Sequence, residues 1–180
     1  MQDEQCLVQK ARDGDKEAFA QLYESHVDKI YRYLVLKTGN KIEAEDMTQQ
    51  VFLKAFQSIS SFKWQGTPFT AWLFRIAHNL MVDYMRHKEK RATLPLDEPI
   101  AKSDSNPELM AERKLDMEQV ISATERLTEL QRGVISLRFT SELSIAEVAR
   151  VMGKSEGAIK ALQHSAIAAL RKSLLVGETQ

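Results

Sequence analysis

The stretch from Leu143 to Lys172 reads LSIAEVARVMGKSEGAIKALQHSAIAALRK, and it leaves few folds open. Ser144 followed three residues later by Glu147 is a capping box. Ile145, Val148, Ala149 and Met152 then mark the buried face of a short helix. Gly153 supplies the left-handed backbone that ends it. After a turn of three residues, Ser155 caps a second helix with Ile159, Leu162 and Ala166 on its inner side. Small Ala149 and Gly153 predict a close, steep crossing of the two helices. This is the plan of a helix-turn-helix, whose second helix enters the DNA major groove by its N-terminal part. Glu156, Lys160 and His164 face outward, flanked by Ala161, Gln163 and Ser165. A lysine there reaches guanine or phosphate, and a glutamate accepts from cytosine. An αα-hairpin inside an ordinary helical bundle meets the same spacing, with Glu156 and Lys160 merely solvated.

The rest of the chain is also helical in pattern, with strand signals nearly absent. Asp15 can cap a long helix striped by Phe19, Leu22, Tyr23, Val27 and Ile30. A Gly39-Asn40 break precedes a helix from Lys41 to Ile59, where Asn40 and Glu43 form a looser capping pair. Met47, Val51, Ala55 and Ile59 make its inner stripe, yet Leu53 and Phe56 are apolar on a flank beside Asp46, Gln49 and Lys54. A helix apolar beyond one stripe needs a second burial partner, either a neighbouring helix or another protein.

After the loop SSFKWQG, the segment PFTAWLFRIAHNLMVDYMRHKEKR (68–91) predicts a helix with Thr67 at its cap and Pro68 in its first position. Phe69, Trp72, Leu73, Ile76, Ala77 and Leu80 share one face; Arg75, Asn79, Asp83 and Arg86 share another. The tail, Arg86 to Arg91, is basic. Beyond it, TLPLDEPIAKSDSNPE holds three of the four prolines and no apolar stripe, which predicts a flexible linker at 93–107. Helices are expected to resume from Pro107. The fold class is therefore all-α, with two small helical domains, 1–92 and 108–180, the second containing the helix-turn-helix.

Charge and cysteine usage narrow the classes. With 25 basic and 25 acidic residues the chain is neutral, which excludes DNA coating by bulk attraction. One cysteine, Cys6, allows no internal disulfide and no cysteine-based zinc site. The N-terminus has no signal-peptide pattern, and no apolar run approaches the ~20 residues of a membrane span. A cytoplasmic protein without membrane insertion is expected. His78, Asp83 and His87 do not share a helical face as metal ligands would. No phosphate loop, nucleophile motif or zinc pattern is present, so no catalytic residue, metal or cofactor is expected.

Three separated motifs resemble bacterial RNA polymerase sigma factors of the extracytoplasmic-function (ECF) type. AEDMTQQVFLKAF (44–56) resembles the family's polymerase-binding helix, FKWQGTPFTAWLFRIAHNLMVDYMR (62–86) its −10-reading segment, and the run from Glu129 to Arg171 its −35-reading domain. The resemblance implies an alternative sigma factor, not an enzyme, that binds core RNA polymerase and directs promoter-specific initiation. It implies polymerase contact through Asp46, Gln49, Gln50, Leu53 and Lys54. It implies −10 contacts from Lys63, Trp64, Asn79, Asp83, Arg86, Lys88 and Lys90, with bases splayed from the stack. It implies −35 contacts from Ser155, Glu156, Lys160, Ala161, His164 and Ser165. Many relatives have an anti-sigma protein, and the family's two domains are tethered loosely.

Several positions depart from the pattern. Thr128-Glu129 follows Leu127 where a proline is frequent, Ser165 stands where many members have arginine, and Lys63-Trp64 where many have arginine then glycine. The competing reading is a stand-alone helix-turn-helix regulator whose first half is a sensor. Strong retardation of promoter DNA by the protein alone would favour it.

Overall fold

A computed structural model describes residues 2–64, 67–92, 124 and 126–177. Every regular element among them is helical. They are α1 (Gln2–Arg12), α2 (Lys16–Thr38), α3 (Lys41–Ser58), a 3₁₀ turn (Ile59–Ser61), α4 (Phe69–Ala92), α5 (Glu129–Ile135), a π turn (Ser136–Thr140), α6 (Ile145–Met152) and α7 (Glu156–Gly177). The expected linker 93–107 and the helix expected from Pro107 lie outside the described residues.

The chain's punctuation sets these boundaries. Asp15 accepts from the amides of Glu17 and Ala18 and starts α2. Gly39, at φ 69°, ends it with its amide on the Val35 carbonyl. Asn40 accepts from Ile42 and Glu43 and starts α3, but the expected return bond from Glu43 does not form. The Asn40 amide donates instead to Thr38 Oγ1 at 3.1 Å, and the Glu43 carboxylate turns to α4, 3.9 Å from Lys88 Nζ. At α4 the first turn closes with the Trp72 amide on the Pro68 carbonyl. Pro68 therefore holds the cap position expected for Thr67.

Helix α1 was not foreseen. It buries Val8 and Ala11 and ties to α2 through Glu4, 3.0 Å from His26 Nε2. Helices α2, α3 and α4 pack around Leu22, Ile30, Met47, Val51, Ala55, Phe69, Leu73 and Ala77. Helix α4 is buried on more than its expected stripe, because Phe74 and Met81 are also fully covered. Phe74 meets the Tyr33 ring edge-on at 5.6 Å.

The two expected helical domains pack against each other. Val134, Leu137, Leu143, Val148, Val151 and Ile159 continue the same core as the first half. The cause is visible in α2, whose last turns bury every residue from Tyr33 to Lys37. A helix buried all round needs cover on both sides, and α5 and the π turn provide the second cover.

Candidate nucleic-acid interface

Helix α3 carries its inner stripe as expected, and it hides Ala44, Thr48 and Phe52 as well. Asp46, Gln49, Gln50 and Lys54 are exposed. Leu53 is 57% exposed, and Ile42 and Phe56 are also largely open. The neighbouring helices leave this apolar flank uncovered, although Phe56 keeps an edge contact with Phe19 at 5.0 Å.

The loop before α4 is pinned by an aromatic cluster. Phe62 is buried and touches Trp64, Phe69 and Trp72 at ring distances of 5.8, 5.9 and 5.1 Å. Trp72 is thus part of the packing, as its stripe position predicts. Trp64 remains 39% exposed, and Lys63 is exposed beside it. Gln65 and Gly66 lie outside the described residues.

Arg75, Asn79, Asp83 and Arg86 are all exposed along one flank of α4. Asp83 and Arg86 lie 4.0 Å apart as an open ion pair. Lys88 is less free than expected, because Glu43 lies opposite it and the Tyr84 ring lies 5.6 Å beneath it. The side chain of Lys90 lies outside the described residues. The flank is open to solvent and forms one wall of a shallow cleft of about 430 Å³. Arg150, Val151, Met152 and Gly153 of α6 form the other wall.

Below the cleft sits a buried polar cluster that sequence reading missed. The Lys37 side chain is 3% exposed and lies 3.2 Å from a carboxylate oxygen of Glu129. It donates to the Glu129 carbonyl as well. Burial lowers the Lys37 pKa, and the Glu129 carboxylate opposes the shift. Tyr33 Oη pairs with His78 Nδ1 at 3.1 Å. Burial, aided by the Lys37 charge, pushes the His78 pKa down to about 4, so the ring is neutral near pH 7. The available signal was Lys37 itself, a lysine closing the apolar run Leu34-Val35-Leu36.

The helix-turn-helix forms as its spacing predicts. Both bonds of the Ser144–Glu147 box are present, and Gly153 sits at φ 62°. Ser155 Oγ accepts from the Ala158 amide at 3.2 Å. Gly153 is needed only for its backbone, since a Cβ there would meet nothing within 4 Å. The close crossing expected from it therefore has no basis. Ser155, Glu156, Lys160, Ala161 and His164 are exposed. Gln163 is not outward-free, because it accepts from Arg138 Nε at 3.1 Å. The Ser165 hydroxyl is also engaged, accepting from Gln131 and donating to the Leu162 carbonyl. Thr128, at the position where a proline is frequent, makes a full capping box with Gln131.

Comparison with known proteins agrees with this arrangement. Residues 22–91 match sigma-70 region 2 and residues 123–172 match sigma-70 region 4. The ECF RNA polymerase sigma factor BldN of Streptomyces coelicolor is 39% identical over 170 residues, 93% of this chain and 64% of its own length. SigW of Bacillus subtilis, another ECF sigma factor, is 31% identical, with 93% of this chain and 94% of its own length covered. The chain belongs to the ECF sigma factors. Members of this family are transcription-initiation factors and not enzymes. The structure of CnrH in complex with the cytosolic domain of CnrY superposes with a TM-score of 0.70 at 25% identity, covering 99% of both chains. The sigma factor RpoE of Bartonella quintana, solved in complex with the anti-sigma factor NepR, has a TM-score of 0.71 at 23% identity and supports the fold. This ECF chain spans 64% of the length of BldN, and none of its described helices is long and apolar enough to cross a membrane.

Proposed function

We propose that this chain is an alternative sigma factor that binds core RNA polymerase and directs promoter-specific initiation, acting in the cytoplasm and catalysing nothing itself. The observation that carries the reading is the uncovered apolar flank of α3, where Leu53 stands 57% exposed among Asp46, Gln49, Gln50 and Lys54. A monomer gains nothing from such a flank, whereas a partner surface would cover it. Residues 1–92 then form the unit for polymerase binding and −10 reading, 93–107 the linker, and 108–180 the −35 unit. Lys63, Trp64, Asn79, Asp83 and Arg86 meet the −10 element, with Lys88 and Lys90 on the backbone. Ser155, Glu156, Lys160, Ala161, His164 and Ser165 meet the −35 element. Because CnrH was solved with the cytosolic domain of CnrY and the Bartonella factor with an anti-sigma factor, an anti-sigma protein is a natural further partner here.

The test is transcription by core RNA polymerase with and without the protein, with start sites mapped, alongside a pull-down of the Asp46→Ala/Gln49→Ala/Leu53→Ala variant. New start sites with the wild type and loss of polymerase binding in the folded variant support the proposal. Wild-type binding by the variant sinks the α3 assignment. Strong promoter retardation by the protein alone, with no effect on core polymerase, means a stand-alone regulator.

A further inference from the structure

Two polar side chains that precede the helix-turn-helix hold α7 on opposite flanks. Gln131 of α5 donates its side-chain amide to Ser165 Oγ at 3.0 Å, while its Oε1 accepts from the Thr128 amide at 3.0 Å. Arg138 of the π turn donates from Nε to Gln163 Oε1 at 3.1 Å. It also donates from Nη1 to the Leu143 carbonyl, directly before the Ser144 cap of α6. Residues 163 and 165 lie about 200° apart around a helix, with 164 pointing out between them. The buried line of Ile159 and Ala166 runs along the other side.

Apolar packing is non-directional. Ile159, Leu162 and Ala166 set how deep α7 sits, but they define its roll about its own axis only loosely. Roll matters to a recognition helix. Side-chain tips stand about 6 Å from the axis, so a roll of about 10° moves them by about 1 Å. That is enough to take a contact out of hydrogen-bond range. Hydrogen bonds on both flanks oppose roll in either direction, and Lys160, Ala161 and His164 stand exposed between them. Ser165 is spent by its own bonds. Its single hydrogen goes to the Leu162 carbonyl at 3.0 Å, which leaves none for a phosphate or a base acceptor.

Resting on the −35 reading of α7 above, we propose that Gln131 and Arg138 are positioning residues: they fix the roll of α7 and so aim Lys160, Ala161 and His164 at the −35 bases. The test is binding of holoenzyme, reconstituted with the full chain, to a promoter and to a panel of single-base −35 variants. Ser165→Ala and Gln163→Ala each cut one tie while Gln131 and Arg138 stay in place. Alanine is the better helix former at both positions, so the fold is kept. The ratio of cognate to variant affinity should drop about fivefold for each, which is what one ordinary hydrogen bond is worth. The salt slope should hold, because neither variant takes a cation from DNA. Ser165→Thr keeps the hydroxyl and should keep the discrimination. Gln131→Met in the Ser165→Ala background should add no further loss, since that tie is already cut. Unchanged discrimination in Ser165→Ala overturns the role of Gln131, and in Gln163→Ala that of Arg138. A loss of affinity that is equal across the panel overturns both. Additive losses from Ser165→Ala and Gln131→Met mean that Ser165 meets DNA itself, and they overturn the tie. A salt slope lower by about one in Arg138→Gln puts Arg138 on a phosphate and overturns its positioning role. Lys160→Ala separates the two levels. If it also leaves affinity and discrimination unmoved, the −35 reading has failed along with the ties; if it alone acts, only the ties have failed.

Discussion

Helix α7 presents Glu156, Lys160, Ala161 and His164 on a free outer face, whereas the equally exposed Arg75, Asn79, Asp83 and Arg86 of α4 line one side of a shallow cleft whose other side is α6. Both helices carry an apolar side and a polar flank, and sequence periodicity treats them alike. They differ in what their apolar sides reach. Ile159 and Ala166 of α7 are buried within the helix-turn-helix, so the outer face stays free. Helix α4 packs on α2, where Phe74 meets the Tyr33 ring, and it is then approached by α6. A surface for a groove of intact duplex must be convex and open at all times. A surface for a separated strand can be a concave one, since unpaired bases can be drawn into it.

The sharpest way to break this contrast is to attack the shared core beneath α4. Phe74→Ala removes a fully buried ring and should cost about 3–5 kcal/mol. One continuous core predicts that both halves unfold together in denaturant. If tryptophan fluorescence, which reports on the first half, shifts while probes on α7 do not, the halves are independent and the contrast fails.

Acid should loosen the same region. The pKa of His78 is about 4 in the folded chain, below its ordinary value near 6.5. The folded state therefore favours the neutral ring. Its contribution is complete above pH 6.5 and is lost as pH falls from there towards 4, by up to roughly 3 kcal/mol. His26, also lowered by burial, shifts stability in the same direction. Unfolding curves at pH 7.5 and 4.5 should thus differ less for His78→Gln than for the wild type. An equal loss in both would remove His78 from the account.

At α7 the expected effects are smaller and of another kind. Lys160→Ala should leave the fold unchanged and reduce −35 affinity or discrimination by ~1–3 kcal/mol if it reads a base. If it touches phosphate alone, it should weaken all promoters evenly and lower the salt slope by about one. Filter binding of holoenzyme to −35 variants at two salt concentrations separates the two. Ser144→Ala, which breaks the α6 capping box, should cost about 1 kcal/mol by thermal melting.

Much of this was legible in the sequence because it depends on neighbours in the chain. Asp15, Asn40, Ser144 and Ser155 cap as their spacing predicts, and Gly39 and Gly153 take the left-handed backbone. What escaped depends on distant partners. Glu43 left its capping role because α4 brings Lys88 near it. Gln163 and Ser165 lost their freedom to Arg138 and Gln131, which lie more than twenty residues away in sequence. The Tyr33, Lys37, His78 and Glu129 cluster joins both halves, and periodicity has no term for such a meeting. The apolar flank of α3 was legible for the opposite reason, since nothing among the described residues covers it.

The central claim is that α4 reads the −10 strand through its exposed polar flank. Permanganate footprinting of open complexes on a panel of −10 mutants, at two salt concentrations, tests it most directly. The account predicts that Asn79→Ala and Asp83→Ala open fewer complexes and accept −10 changes the wild type rejects, while Arg86→Ala weakens all promoters alike and flattens the salt dependence. Even losses across the panel for Asn79→Ala and Asp83→Ala, or wild-type opening by all three variants, would contradict it.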